Sequence, residues 1–372
     1  MAGAAVDDLG PEPPADRPRD RVVWQLQVQA RACAAMGSPL YDHLLHAAAA
    51  DCADAGPTWD VLAAYTAPGR GGALALRLMA AVHRLVLERR APRLATFYPS
   101  VGGSGALDGV WDAFRATLAA DPQGVSALVG RPCQTNEVGR SAALAVGFAE
   151  VMRETGLPLR LREVGASAGL NLRCDRFHIG GAGAQMGDSD SPVDLSSHWR
   201  TPPPEAPARL DVVDRRGCDR APVDPTTPEG RLTLTASVWA DQRERHERLR
   251  GALALARTIP AIVDRASLDA WTRAQLVELP DGAATVVYHS VVSEYLDDTT
   301  RERFVAALTD AGARATPDSP LAWVRLEPVS RLRHHGVQMT LWPGSQTRTL
   351  ARCGAHGSDV VWLDGDSGPS AG

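Results

Sequence analysis

An acid followed at once by very small side chains is the stretch of this sequence best suited to chemistry: Glu163-Val164-Gly165-Ala166-Ser167-Ala168-Gly169. Glycine lets the backbone approach a ligand closely, and a carboxylate just before it can accept hydrogen bonds from hydroxyls or an ammonium group. Strand, acid and glycine loop, in that order, open nucleotide sites in many α/β folds. The letters from Gly165 to Gly169 also spell Gly-x-Ser-x-Gly, the turn that lifts a nucleophilic serine out of a sheet. On the first reading Glu163, Gly165, Ala166, Ser167, Gly169 and Asn171 line a bound cofactor. On the second, Ser167 attacks an acyl carbon, Asp297 or Asp318 and His356 complete a triad, and Gly102-Gly103 offers an oxyanion loop.

Later strand ends favour the first reading. Strands expected to end near residues 164, 213, 263, 290 and 327 carry Glu163, Asp214, Asp264, His289-Ser290 and Glu327 in or beside their last positions. Ligands bind at the carboxyl ends of parallel strands, and a row of acids there suits a nucleoside. Asp214 is then expected on ribose hydroxyls and Asp264 on the base, with His289 and Ser290 at the floor of the site. A general base, if the reaction needs one, is expected at His289 first and at Tyr295 or Asp241 next. A serine elbow needs a long helix after the serine, whereas Leu170 to Asp175 soon runs into Gly180-Gly181.

These residues sit in a chain whose character changes once. Residues 1–20 read as a disordered, proline-rich leader and 365–372 as a disordered tail. Residues 21–156 show helical spacing, as in Leu74, Leu78, Ala81, Val82 and Leu85, punctuated by Pro39, Pro57, Pro92 and other breakers. This predicts an all-α domain. Its loop Thr135-Asn136-Glu137-Val138-Gly139-Arg140 reads either as a helix cap or as a polar segment lying over the glycine loop. Residues 157–364 alternate strands with helices and predict a Rossmann-like α/β sheet. Strands are expected over 159–164, 208–213, 261–263, 285–290 and 321–327, with a long irregular segment over 177–207. Val337–Trp342 and Val360–Leu363 are expected to form an antiparallel closing pair.

Composition removes several classes of function. The 372 residues carry a net charge of −5, so nothing global points to nucleic acid or an anionic membrane. All 39 basic residues are arginine, which excludes a Schiff-base or P-loop lysine. The six cysteines form no Cys-x-x-Cys pair, and Cys353-x-x-His356 is half a metal site at most, so no metal is expected. No apolar run reaches the roughly 20 residues that span a bilayer, and there is no signal-peptide core. A cytoplasmic protein acting on a small molecule is expected. Its oligomeric state is not encoded in these features.

The motifs carry two resemblances. Glu163 to Gly169, Asp264-Arg265-Ala266, and Tyr288-His289-Ser290 with the subsequent Glu294-Tyr295-Leu296 resemble the first, third and fourth-strand motifs of class I S-adenosylmethionine-dependent methyltransferases. Ser167 stands where that pattern often has a third glycine. The whole chain from about residue 22 to 363 resembles the bacterial family DUF2332. The residues that carry this are 135–140, 163–172, Arg216-Gly217-Cys218-Asp219, Val238-Trp239-Ala240-Asp241-Gln242, 288–292 and Leu341-Trp342-Pro343-Gly344. The first resemblance implies methyl transfer from S-adenosylmethionine to a small or medium-sized acceptor. A serine hydrolase using Ser167 and a non-catalytic nucleoside binder are the alternatives.

Overall fold

Pro18, Pro39, Pro57, Pro92 and Pro122 each occupy the first position of a helix, where a missing N–H costs nothing and the fixed φ already suits the turn. The structure, a computed structural model, describes residues 10–66, 73–329 and 334–363. The chain divides into two compact units, Met1–Thr135 with Thr227–His246, and Asn136–Thr226 with Glu247–Gly372.

The first unit is helical. Its helices Pro18–Ala35, Pro39–Ala53, Leu74–Leu87 and Val110–Ala120 bury one continuous apolar core. Trp239 and Ala240 join that core from the returning segment, and Trp239 stacks on Tyr41 at 5.8 Å. The expected disordered leader is corrected over residues 10–20. The helix already begins at Pro18, Arg21 Nε donates to Glu12 at 3.0 Å, and the Trp24 indole donates to the Gly10 carbonyl at 3.2 Å. Residues 1–9 and the tail 365–372 lie outside the described residues.

The second unit begins earlier than expected. Helix Ser141–Thr155 belongs with the sheet, not with the helical unit that was expected to run to residue 156. The reason lies in its sequence. Every residue from Ser141 to Val151 is buried, and a helix apolar on all sides must be covered on all sides. The strands are β1 (Leu159–Val164), β2 (His178–Gly181), β3 (Ala184–Met186), β4 (Asp194–Leu195), β5 (Trp199–Thr201), β6 (Val212–Asp219), β7 (Ile262–Arg265), β8 (Ala284–Ser290), β9 (Leu321–Pro328), β10 (His335–Trp342), β11 (Gln346–Cys353) and β12 (Val360–Trp362). Nine of them form one mixed, mostly parallel sheet in the order β7-β6-β1-β8-β9-β10-β11-β12-β5. From β7 to β9 neighbours run parallel; β10 and β11 come next as antiparallel hairpins.

Three expectations change here. The segment over 177–207 holds the small sheet β3-β2-β4 and the edge strand β5. The expected closing pair of 337–342 with 360–363 is separated by β11, which lies between β10 and β12. Strand β6 runs from Val212 to Asp219, later than the expected 208–213. Its Arg215 and Arg216 resemble loop residues by hydropathy. The fold neutralises them with bidentate ion pairs to Asp175 and Asp264.

Successive strand residues point to opposite faces of a sheet. Leu161, Glu163 and Tyr288 face the Ser141–Thr155 helix, whose Phe148 meets the Tyr288 ring edge-on at 4.9 Å. Val164, Val287, Trp323 and Cys218 face helices Leu268–Gln275 and Asp298–Gly312, where they form an apolar cluster with Leu268, Trp271, Phe304 and Leu308.

Candidate functional site

The glycine loop leaves the carboxyl end of β1, where strand order reverses between β6 and β8. Gly165, Ser167 and Gly169 have φ of +70°, +52° and +64°. A Cβ on Gly165 would stand 2.6 Å from a Val292 methyl, and one on Gly169 would stand 2.7 Å from a Val263 methyl. Both positions therefore require glycine for backbone shape and for space. Three of the loop's own N–H groups are used within the fold. Ala166 donates to the Cys218 carbonyl at 2.9 Å, Ser167 to Asp219 Oδ2 at 2.8 Å, and Gly169 to the Ala166 carbonyl at 2.7 Å. Leu170 donates to Asn136 Oδ1 at 2.9 Å. With those donors taken, the loop is not a ready phosphate cradle.

The polar segment expected over the loop does lie there. Asn136 accepts the Leu170 N–H, and Asn171 Nδ2 donates to the Glu137 carbonyl at 3.3 Å while its Oδ1 accepts from Ser141 Oγ at 3.0 Å. Arg140 reaches the carbonyls of Ala355 and Ser290. Capping in this segment falls to Glu137, whose side chain accepts the Gly139 N–H, and not to Thr135 or Asn136. Asn171 thus holds the loop to its covering segment.

Glu163 is 2% exposed, and its Oε2 has no hydrogen-bond partner. Tyr288 stands opposite it in register, and the Tyr288 hydroxyl is also buried outside hydrogen-bonding geometry. Burial pushes the Glu163 carboxyl up to about 8. The nearby Tyr288 hydroxyl pulls against that rise, and the charge of Asp219 adds to it.

The structure corrects the position of Asp214. It pairs in register with Arg160, near the start of β6, and its carboxylate binds Arg160 and Arg162. Arg162 is a buried guanidinium, so Asp214 neutralises a core charge at the wrong end of the strand for a ligand. The acid at the carboxyl end of β6 is Asp219, which sequence reasoning missed because the strand was expected to end six residues earlier. Its two oxygens accept from the Ser167 and Ala221 N–H groups. Asp264 does lie in β7, near its end. Arg216 holds both its oxygens at 2.7 and 2.9 Å, and the Trp271 indole donates to one of them at 2.7 Å.

His289 and Glu163 point to opposite faces of the sheet, since Tyr288, not His289, pairs with Glu163. His289 is buried. Its Nδ1 lies 2.6 Å from Glu327 Oε1, and its Nε2 accepts the Trp323 indole N–H at 3.1 Å. Indole nitrogen only donates, so Nε2 is unprotonated and the proton sits on Nδ1, directed at Glu327. Ser290 comes next, at the strand end. Tyr295 is 53% exposed on a short 3-10 turn, Ser293–Tyr295. Asp241 belongs to the helical unit, where it accepts from Ser38 Oγ at 2.7 Å and from the Leu40 N–H at 3.1 Å. It anchors the start of the Pro39–Ala53 helix.

A family model described as an uncharacterized protein conserved in bacteria, DUF2332, matches residues 24–362. The chain belongs to the DUF2332 family. No curated protein and no solved structure matches it. The family match spans both units, so the helical unit and the sheet unit are parts of one DUF2332 architecture. Beyond Ser167 the chain forms the 3-10 helix Leu170–Arg176, with Arg173 outside helical geometry, where a serine elbow needs a long α-helix. Among the described residues no three histidine, cysteine or carboxylate side chains gather as metal ligands, and no helix is long and apolar enough to cross a membrane.

Proposed function

We propose that this DUF2332 protein binds S-adenosylmethionine at the carboxyl ends of β1 and β6 and transfers its methyl group to a small or medium-sized acceptor. The observation that carries this reading is Glu163. A buried carboxyl with an unpartnered oxygen, just before a glycine turn at the switch in strand order, is suited to receive a ligand's ammonium group. The strand order β7-β6-β1-β8-β9 supports a Rossmann-like sheet of the methyltransferase type, and β10 supplies a reversed strand beside β9, reached here by a direct hairpin. Asp219 replaces Asp214 as the acid for ribose hydroxyls. S-adenosylmethionine, when bound, supplies a methyl group activated by sulfonium. The chain's own part is to bind and orient, because in-line transfer depends on position. His289, with both ring nitrogens engaged, is not assigned as a base.

The test is thermal unfolding of the full chain with S-adenosylmethionine and with its demethylated product. Ligand at a hundred times its Kd adds about 2.7 kcal/mol, which reads as a shift of several degrees. Glu163→Gln should remove most of that shift. Folded wild-type protein that shows no shift at about 1 mM ligand sinks the proposal. Stabilisation without methylation of any acceptor would point instead to a binding-only protein. The engagement of both His289 ring nitrogens, which leaves no free base there, favours that second reading.

A further inference from the structure

On the sheet face opposite Glu163, a cavity of about 270 Å³ lies between β9 and the Asp298–Gly312 helix. Its walls are apolar at Leu268, Val292, Leu296 and Phe304; Arg325 and Glu327 of β9 line it, and so does Arg301, which is paired with Asp298. The guanidinium of Arg325 stacks over the Trp323 ring at 4.1 Å. Its Nε donates to Gln338 at 2.8 Å and its Nη1 to Thr340 at 3.4 Å. None of these partners is a carboxylate, and Nη2 has no hydrogen-bond partner among the described residues. Glu327 Oε1 is taken by His289 and by the Val292 N–H at 3.0 Å, while its Oε2 is buried without a partner. Burial works against the charge on Glu327. The hydrogen bonds from His289, Val292 and Ser293 outweigh it and hold the carboxyl below its ordinary range.

One unpaired donor and one unpaired acceptor, of opposite charge, therefore share a pocket with an apolar body. They lie two residues apart on one face of a strand, a rise of about 6.7 Å. We propose that this cavity binds a small zwitterion with an apolar side chain, of the class of free α-amino acids. Arg325 takes its carboxylate, Glu327 takes its ammonium, and the side chain fills the space under Phe304. An anion alone would face the charge of Glu327, and a cation alone would face Arg325 and Arg301. An uncharged apolar ligand would leave both groups unsatisfied, the buried Glu327 Oε2 among them. The volume lies near the lower end of small-molecule pockets, roughly 300–1,000 Å³. The inference does not rest on methyl transfer.

The test is calorimetric titration of the full chain with L-leucine and L-phenylalanine, and with two single-charge analogues, phenethylamine and 3-phenylpropionate. At least one amino acid should bind, and loss of either charged group should weaken phenylalanine-type binding by about tenfold or more. Arg325→Gln should erase the preference for phenylalanine over phenethylamine. Glu327→Gln should erase its preference over 3-phenylpropionate. The wild-type comparison decides the matter even where a variant does not fold. No binding of either amino acid up to about 10 mM overturns the inference, as do equal affinities for phenylalanine and both analogues.

Discussion

Glu163, buried, and Glu327, largely buried, are both glutamates near the carboxyl ends of parallel strands, and their carboxyls shift in opposite directions. Glu163 is taken out of water, with the Tyr288 hydroxyl opposite and the charges of Asp219 and Arg173 pulling in opposite senses, and its carboxyl rises to about 8. Glu327 is taken out of water too, but His289 and the N–H groups of Val292 and Ser293 converge on one of its oxygens, and its carboxyl falls. Removal from water penalises the charge on both, and the donors decide the sign. One face of the sheet therefore holds an acid ready to gain a donor. The other holds a carboxylate already engaged on one side.

The largest expected effect breaks the engaged side. Glu327→Ala strips the acceptor from His289 and from two backbone N–H groups, and should cost about 3 kcal/mol in urea denaturation at pH 7. A loss below about 0.5 kcal/mol would mean that those donors find water at no cost.

The second effect concerns Glu163 and depends on pH. Its folded value lies above the unfolded one, so the folded state holds a proton that the unfolded chain has lost. Stability from this group is fully present below about pH 4.3 and is lost as pH rises to about 8, where the loss levels off. Glu163→Gln cannot ionise and should flatten that decline, standing on the order of 2 kcal/mol above wild type at pH 8.5 relative to the difference at pH 4. Parallel stability curves for the two proteins from pH 4 to 8.5 would show that the carboxyl is not perturbed in the fold.

A smaller effect separates packing from backbone shape in the loop between the two acids. Gly165→Ala meets both a positive φ and the Val292 methyl, and should cost about 1–2 kcal/mol. Adding Val292→Ala should recover the steric part and leave the conformational part, about 1 kcal/mol, in place. The smallest change is expected at Tyr295. Tyr295 is 53% exposed, and Tyr295→Phe should leave stability within about 0.5 kcal/mol of wild type. A larger loss would place that phenol in the structure's working parts.

Much of this architecture is legible along the chain. Prolines mark helix starts because their fixed φ serves the first turn, and the buried run Ala284–Ser290 reads as a central strand because it lacks charges. Strand β6 is less legible. Its arginines look solvated until Asp175 and Asp264 are brought beside them, and a single sequence window holds no trace of those partners. The same blindness puts the expected end of this strand near Asp214 and hides Asp219, where it ends. Helix Ser141–Thr155 is legible as a helix, but only its all-round burial assigns it to the sheet.

The sequence by itself determined that a strand, an acid and a glycine turn succeed one another, because that order is local and each residue type has a narrow range of backbone shapes. Only the tertiary structure decided which side each acid serves. Alternation sends Glu163 and His289 to opposite faces of the sheet once β1 and β8 are paired in register, and that register is a long-range fact. Whether a buried carboxylate is charged depends in turn on donors that arrive from other strands and loops.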